Sequence, residues 1–277
     1  MDLTTYASLV LAVMVAAYAV AKVLKLSTEI SMFIAALAGC VAGGFGLPAR
    51  QIAEGAMTYL DINLIFITAT LFMNILKESG GVAFVVRRLF KRFHNRRAIL
   101  LVLLTILLLI PGALTGAGSV TVLICGSMVG TVLVSMGVPK VKTAAIVFII
   151  AGLSAAAPPV SLWAMMTAAG VNMPYVGFFW PLMIPCLMAG IATMFILGWK
   201  GTPAETEQVL SSLPAAPDGM SWFKIILPFV IFLGFIFLGR TWPHSTVVTG
   251  LPLMFLCSAL VSYALSPLKL SFFRISR

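Results

Sequence analysis

Charge is what this sequence has least of. Asp, Glu, Lys and Arg make up 9% of its 277 residues, against 61% hydrophobic residues and a mean hydropathy of +1.11. That is too little polar surface to cover a soluble globule of this length. Histidine is nearly missing, and His94 and His244 both fall in polar connecting segments rather than in apolar runs. An interior Ser–His–Asp relay is thereby excluded, and neither a GxGD nor an HExxH motif occurs. Cys40, Cys125, Cys186 and Cys257 all lie in apolar runs, with no CxxC and no histidine at ligand spacing. They read as small packing residues rather than metal ligands or disulfide partners. The apolar runs also lack period-2 alternation, which removes a transmembrane β-barrel. The expectation is a protein that is not an enzyme and holds no cofactor.

What is present is a series of apolar runs of about 20 residues, the length at which a helix satisfies its own backbone across a bilayer. The predicted fold class is an all-α polytopic membrane protein. Runs at 3–23, 30–46 and 62–76 place three scaffold spans within residues 1–76. The first opens with Asp2 and carries Lys22 and Lys25 after its apolar stretch, the reverse of a signal peptide, and reads as an uncleaved span. Residues 50–59 are too short and too mixed to cross.

Residues 77–97 hold seven of the 18 Lys and Arg residues. Val82, Val85, Val86, Leu89, Phe90 and Phe93 recur there at helical spacing opposite the arginines, which predicts an amphipathic helix lying in the membrane interface. The positive-inside rule puts this arm in the cytoplasm and the N-terminus outside. Threaded from there, 16 of the 18 basic residues are cytoplasmic, with only Arg50 and Arg240 outside. The net charge of +10 therefore reports membrane orientation, not a nucleic-acid partner.

Residues 98–170 read as the core. They are apolar but interrupted twice, by Pro111-Gly-Ala-Leu-Thr115-Gly-Ala-Gly-Ser119-Val-Thr121 and by Ser154-Ala-Ala-Ala-Pro158-Pro159-Val-Ser161. The first helical piece is expected to stop at Pro111-Gly112, after about 22 Å of helix and short of a full crossing. Lys140 and Lys142 follow the second piece, so 98–136 is expected to be a re-entrant hairpin with its tip at 115–121, and 143–169 a helix broken at Pro158-Pro159. Backbone that leaves helical geometry at membrane depth must line protein or a cavity. Thr115, Gly116, Gly118, Ser119 and Thr121 are the candidate substrate and ion residues on the hairpin, and Ser154, Pro158, Pro159 and Ser161 those on the broken helix. Freed carbonyls near Gly116, Gly118 and Ala157 suit Na⁺, and the helix N-terminus near Ser119 suits a carboxylate. Against this stands plain kinking and close packing by Gly and Pro. A phosphate-binding loop is excluded, because the lysine before Ser119 is absent.

Residues 177–199 form a further span, 200–221 the one solvated cytoplasmic loop, and 222–277 two more spans. Ser27-Thr28 set over Ser245-Thr246 brings Pro48 and Pro267 into near register, a weak inverted repeat whose second copy is incomplete. Asn74 is expected to hydrogen-bond between helices, Asp61 to sit at the outer interface, and Asn172 to make a turn. Trp163 is either a packing or a pathway residue.

At Leu71-Phe-Met-Asn-Ile-Leu-Lys-Glu-Ser-Gly-Gly81, Gly112-Ala-Leu-Thr-Gly-Ala-Gly-Ser119-Val-Thr121 and Ala157-Pro158-Pro159-Val160, the chain resembles the large membrane subunit of tripartite ATP-independent periplasmic (TRAP) transporters, within the ion-transporter superfamily. The tip departs from the family's Ser-Gly-Ser-like pattern. The resemblance implies a Na⁺-coupled permease of the prokaryotic inner membrane, carrying a small organic anion such as a C4-dicarboxylate by an elevator motion. It also implies a small TRAP membrane subunit and an extracytoplasmic solute-binding protein as partners, beside the membrane lipids that the apolar composition already calls for. The family has two inverted repeats, so the chain is expected to be truncated after the first. The competing reading is a non-transporting scaffold or assembly subunit, or a degenerate fragment.

Overall fold

The computed structural model describes residues 3–46, 48–201, 206–217, 219–241 and 250–266. Among them there is no strand, and five helices are long and apolar enough to cross a membrane. Much of their outward surface is bare hydrocarbon, as at Leu11, Val15, Leu123 and Ile196. The chain divides into two units, residues 1–60 and 61–277.

In the first unit, α1 (Leu3–Val23) and α2 (Thr28–Ala42) form a tight pair. Gly39 allows the approach, since a Cβ there would lie 2.6 Å from Met14 Cγ. Ser27 caps α2, accepting from Ile30 N at 3.4 Å, while Ser31 Oγ donates to Ser27 O at 2.8 Å. The expected non-crossing segment is α3 (Ala49–Thr58), a helix of 10 residues with none buried and an exposed Arg50–Glu54 ion pair at 2.7 Å.

The second unit begins with α4 (Leu60–Glu78), whose Phe72 meets Phe229 of α12 (Trp222–Thr241) and Phe255 of α13 (Leu251–Leu265). Next comes α5 (Gly81–Phe93), the expected amphipathic helix: Val82, Ala83, Val86 and Phe90 are buried, while Arg88, Lys91 and Arg92 are exposed. Asn74 is exposed and makes no hydrogen bond among the described residues, so the interhelical bond expected of it is not made.

The centre is α6 (Arg97–Thr115), with Leu100, Leu101, Leu104, Thr105 and Leu108 fully buried. Here the structure departs from the sequence reading. The helix does not stop at Pro111-Gly112 but runs through them, 19 residues or about 28 Å. Pro111 lacks the N–H that would bond Leu107 O, yet the helix continues past it, and the real stop is Gly116, whose φ of +70° forms a left-handed cap. The tip therefore shrinks from seven residues to Gly116-Ala117, and α7 (Gly118–Ser135) starts at once, with a π turn at Val122–Gly126.

The broken helix consists of α8 (Lys140–Ala156) and α9 (Leu162–Gly170), separated by 157–161 with a cis Pro158-Pro159 bond. Gly126 and Gly130 on α7 let it close on Val147 and Thr143 of α8. The span after Asn172, which takes the expected turn at φ +54°, is α10 (Phe179–Gly198), packed on α6 and α8.

The loop expected to be wholly solvated contains a short helix, α11 (Thr206–Ser212), and Val209 and Leu213 are buried. Arg87 holds it down, donating to Leu210 O at 2.8 Å, Leu213 O at 3.0 Å and Pro214 O at 3.3 Å. Ser245-Thr246, His244, Pro267 and the rest of the tail lie outside the described residues, as do 202–205 and Asp218, and with them the second copy of the repeat.

Candidate functional site

The two interruptions meet. Val160, between α8 and α9, donates its backbone N–H to Ala113 O of α6 at 2.9 Å. Glycines on the hairpin make the approach close enough. A Cβ on Gly112 would overlap Ser154 Oγ, one on Gly118 would overlap Ala151 O, and one on Gly116 would lie 2.5 Å from Leu162 Cγ.

Between these contacts runs a dry hydroxyl clasp. Thr121 Oγ1 and Ser154 Oγ are 2.8 Å apart, and Ser154 Oγ donates to Ala151 O at 2.7 Å. Ser154 has one proton, and giving it to Ala151 O leaves Thr121 as the donor across the pair. Thr115 Oγ1 donates to Pro111 O at 2.8 Å and accepts from Ala117 N at 3.4 Å. Thr115, Thr121 and Ser154 have no exposed surface, and Ser161 is 1% exposed as the cap of α9.

The nine candidate residues therefore divide. Gly116, Gly118 and Ser119 border an open cleft of about 810 Å³, whereas Thr115, Thr121, Ser154, Pro158, Pro159 and Ser161 do not line it. Ser119 is the exposed hydroxyl of the set, with no hydrogen bond among the described residues. The opposite walls come from Phe148 and Gly152 of α8, Leu162 and Trp163 of α9, and Phe66 of α4. Of these, only Trp163 carried a functional reading in the sequence. Phe148 and Gly152 gave no signal, because an apolar side chain facing a cleft looks the same as one facing lipid.

Four helix ends border this cleft. The first turns of α7 (Gly118, Ser119) and α9 (Leu162, Trp163) line it, and α6 and α8 end beside it. The N-termini present N–H groups and positive dipole ends, with Ala164 N taken by Ser161 Oγ, and the C-termini present carbonyls, of which Gly112 O, Ala113 O and Leu153 O accept from Gly116, Val160 and Ala157. No Asp or Glu occurs between Glu78 and Glu205, so no carboxylate from this stretch repels an anion there. With Thr121 and Ser154 bonded to each other, the oxygens left to hold a hard cation are backbone carbonyls and Ser119 Oγ, a donor set of the kind such ions accept. Among the described residues, no group of three or more His, Cys, Asp or Glu side chains is placed to hold a metal.

A second, apolar groove of about 870 Å³ shares Val122 and Phe148 with the cleft and continues between α7 and α8 to Lys140. Compared with known proteins, the chain matches no family model, no curated protein and no solved structure.

Proposed function

We propose that this chain is a secondary active transporter for a small organic anion such as a C4-dicarboxylate, coupled to Na⁺ and of the TRAP large-subunit type. The observation that carries this reading is the convergence of two helix N-termini and two helix C-termini on one cleft, joined through the Val160–Ala113 hydrogen bond. Broken helices facing one another are the form in which membrane proteins build ion and substrate sites.

On this reading, a substrate carboxylate sits at the N-termini of α7 and α9 with Ser119 Oγ as its side-chain donor. Na⁺ sits at the carbonyl ends of α6 and α8. With no acidic residue in the stretch, a cation alone is poorly held and an anion alone is uncompensated, so each raises the affinity for the other. That reciprocity is the basis of symport. The glycine contacts make the hairpin and α8–α9 one packed body, which fits a site that moves as a unit past a scaffold. In this proposal the α5 arm is cytoplasmic, α6 and α7, each long enough to cross, form a hairpin that returns the chain to the cytoplasmic side, and a small membrane subunit and an extracytoplasmic binding protein deliver substrate.

Uptake of labelled succinate into proteoliposomes, with and without an inward Na⁺ gradient, tests the reading. Uptake that follows the gradient supports it. Uptake indifferent to Na⁺ removes the coupling, and no uptake by correctly inserted protein favours the scaffold reading.

A further inference from the structure

The basic residues of the arm fall into two groups. Arg87 is turned to the α11 segment, its Nη1 lying within 3.3 Å of three carbonyls, and Arg97 donates to Gly201 O at 2.7 Å and Gly198 O at 2.9 Å. Arg88, Lys91 and Arg92 are exposed and have no hydrogen bond or ion pair among the described residues. Their i, i+3, i+4 spacing puts all three on one face of α5. The buried Val82, Val86 and Phe90 fix that face outward. With no Asp or Glu between Glu78 and Glu205, nothing along this stretch neutralises them.

These cations surround a hollow of about 570 Å³, whose remaining walls are Leu89, Phe93 and Trp222. Trp222 is held in place by an edge-on contact with Phe84, ring centroids 5.6 Å apart and planes at 78°. The hollow lies where two apolar helices begin, α6 at Arg97 and α12 at Trp222. The ends of helices that cross a bilayer lie at the level of the lipid headgroups, where tryptophan is enriched.

We propose that Arg88, Lys91, Arg92 and Trp222 form a binding site for the headgroup of an anionic phospholipid. The phosphate sits among the three cations, and the glycerol and upper acyl chain lie against Phe93 and the Trp222 ring. An acidic protein segment or a soluble phosphate would satisfy the cations but would leave the aromatic wall without a partner. Juxtamembrane cations gain affinity for anionic lipid by about fivefold each.

The test uses the full-length chain in phosphatidylcholine nanodiscs doped with a phosphatidylglycerol carrying a photoreactive headgroup. Cross-links are expected within α5 and at Trp222, competed by unlabelled phosphatidylglycerol and not by phosphatidylcholine or glycerol 3-phosphate. The triple variant R88Q/K91Q/R92Q should lose about tenfold or more of this labelling, whereas R50Q, which alters the ion-paired Arg50, should not. Labelling mapped elsewhere, equal competition by phosphatidylcholine, or unchanged labelling of the triple variant overturns the proposal. Displacement by glycerol 3-phosphate makes this a soluble-anion site and overturns the lipid assignment. The mapping and competition use the unmodified chain, so the result does not depend on the variant folding.

Discussion

Thr121 and Ser154, separated by 33 positions in the chain, share a 2.8 Å hydrogen bond with no solvent reaching either side chain. The sequence assigned both to substrate or ion binding. In the structure they join the hairpin to the broken helix and do not line the cleft.

The pair gives a double-mutant cycle. Thr121→Val leaves Ser154 Oγ still bonded to Ala151 O, so it should cost only about 1 kcal/mol. Ser154→Ala removes Thr121's partner inside a dry contact and should cost about 1–3 kcal/mol. The cycle should return a coupling of about 0.5–1.5 kcal/mol in detergent unfolding, with substrate affinity unchanged in whatever fraction folds. Additive effects would break the clasp, and a large affinity change would return these residues to the ligand set.

Gly118 brings the hairpin against the backbone of α8. A methyl at this position meets the backbone carbonyl of Ala151, which cannot turn aside as a flexible side chain can. Gly118→Ala should therefore destabilise by roughly 1–3 kcal/mol, and Gly118→Val by more. Gly152→Ala, on the neighbouring turn where a Cβ meets nothing within 4 Å, should be tolerated. Thermal unfolding followed by tryptophan fluorescence separates the two, and equal stability would mean the helices are not packed through Gly118.

Arg87 ties α11 to α5 through three carbonyls. Arg87→Gln should release the 206–213 segment while leaving the apolar helices in place. Limited proteolysis reads this out: cleavage near Val209 and Leu213 should accelerate by about tenfold or more, the equilibrium equivalent of about 1.4 kcal/mol. Unchanged cleavage would mean that burial of Val209 and Leu213 alone holds the segment.

The helical organisation was legible because apolar runs and their charged ends are local signals. The amphipathic arm was legible as a helix, since 13 residues suffice to display a helical period, and Val82, Val86 and Phe90 of its expected apolar face are buried. What failed to show had nonlocal causes. Pro111 read as a stop because a proline usually is one, but the helix continues through it and the left-handed Gly116 sets the boundary. The buried state of Thr121 and Ser154 depends on a partner 33 positions away. The α11 segment, with seven helical residues, is too short to display periodicity, and its docking depends on Arg87, more than 100 positions earlier. Of the candidate positions, Gly116 and Gly118 were legible as points of turn and close approach, because backbone freedom belongs to the residue itself.

Binding of labelled succinate to the purified chain, in Na⁺ and in choline, for the wild type and Ser119→Ala, tests the central claim most directly. The account predicts saturable binding in Na⁺, a loss of about tenfold or more in choline, and a comparable loss for Ser119→Ala in Na⁺, in line with removing one hydrogen bond to a charged group. Binding that is equal in Na⁺ and choline and indifferent to Ser119→Ala would contradict it.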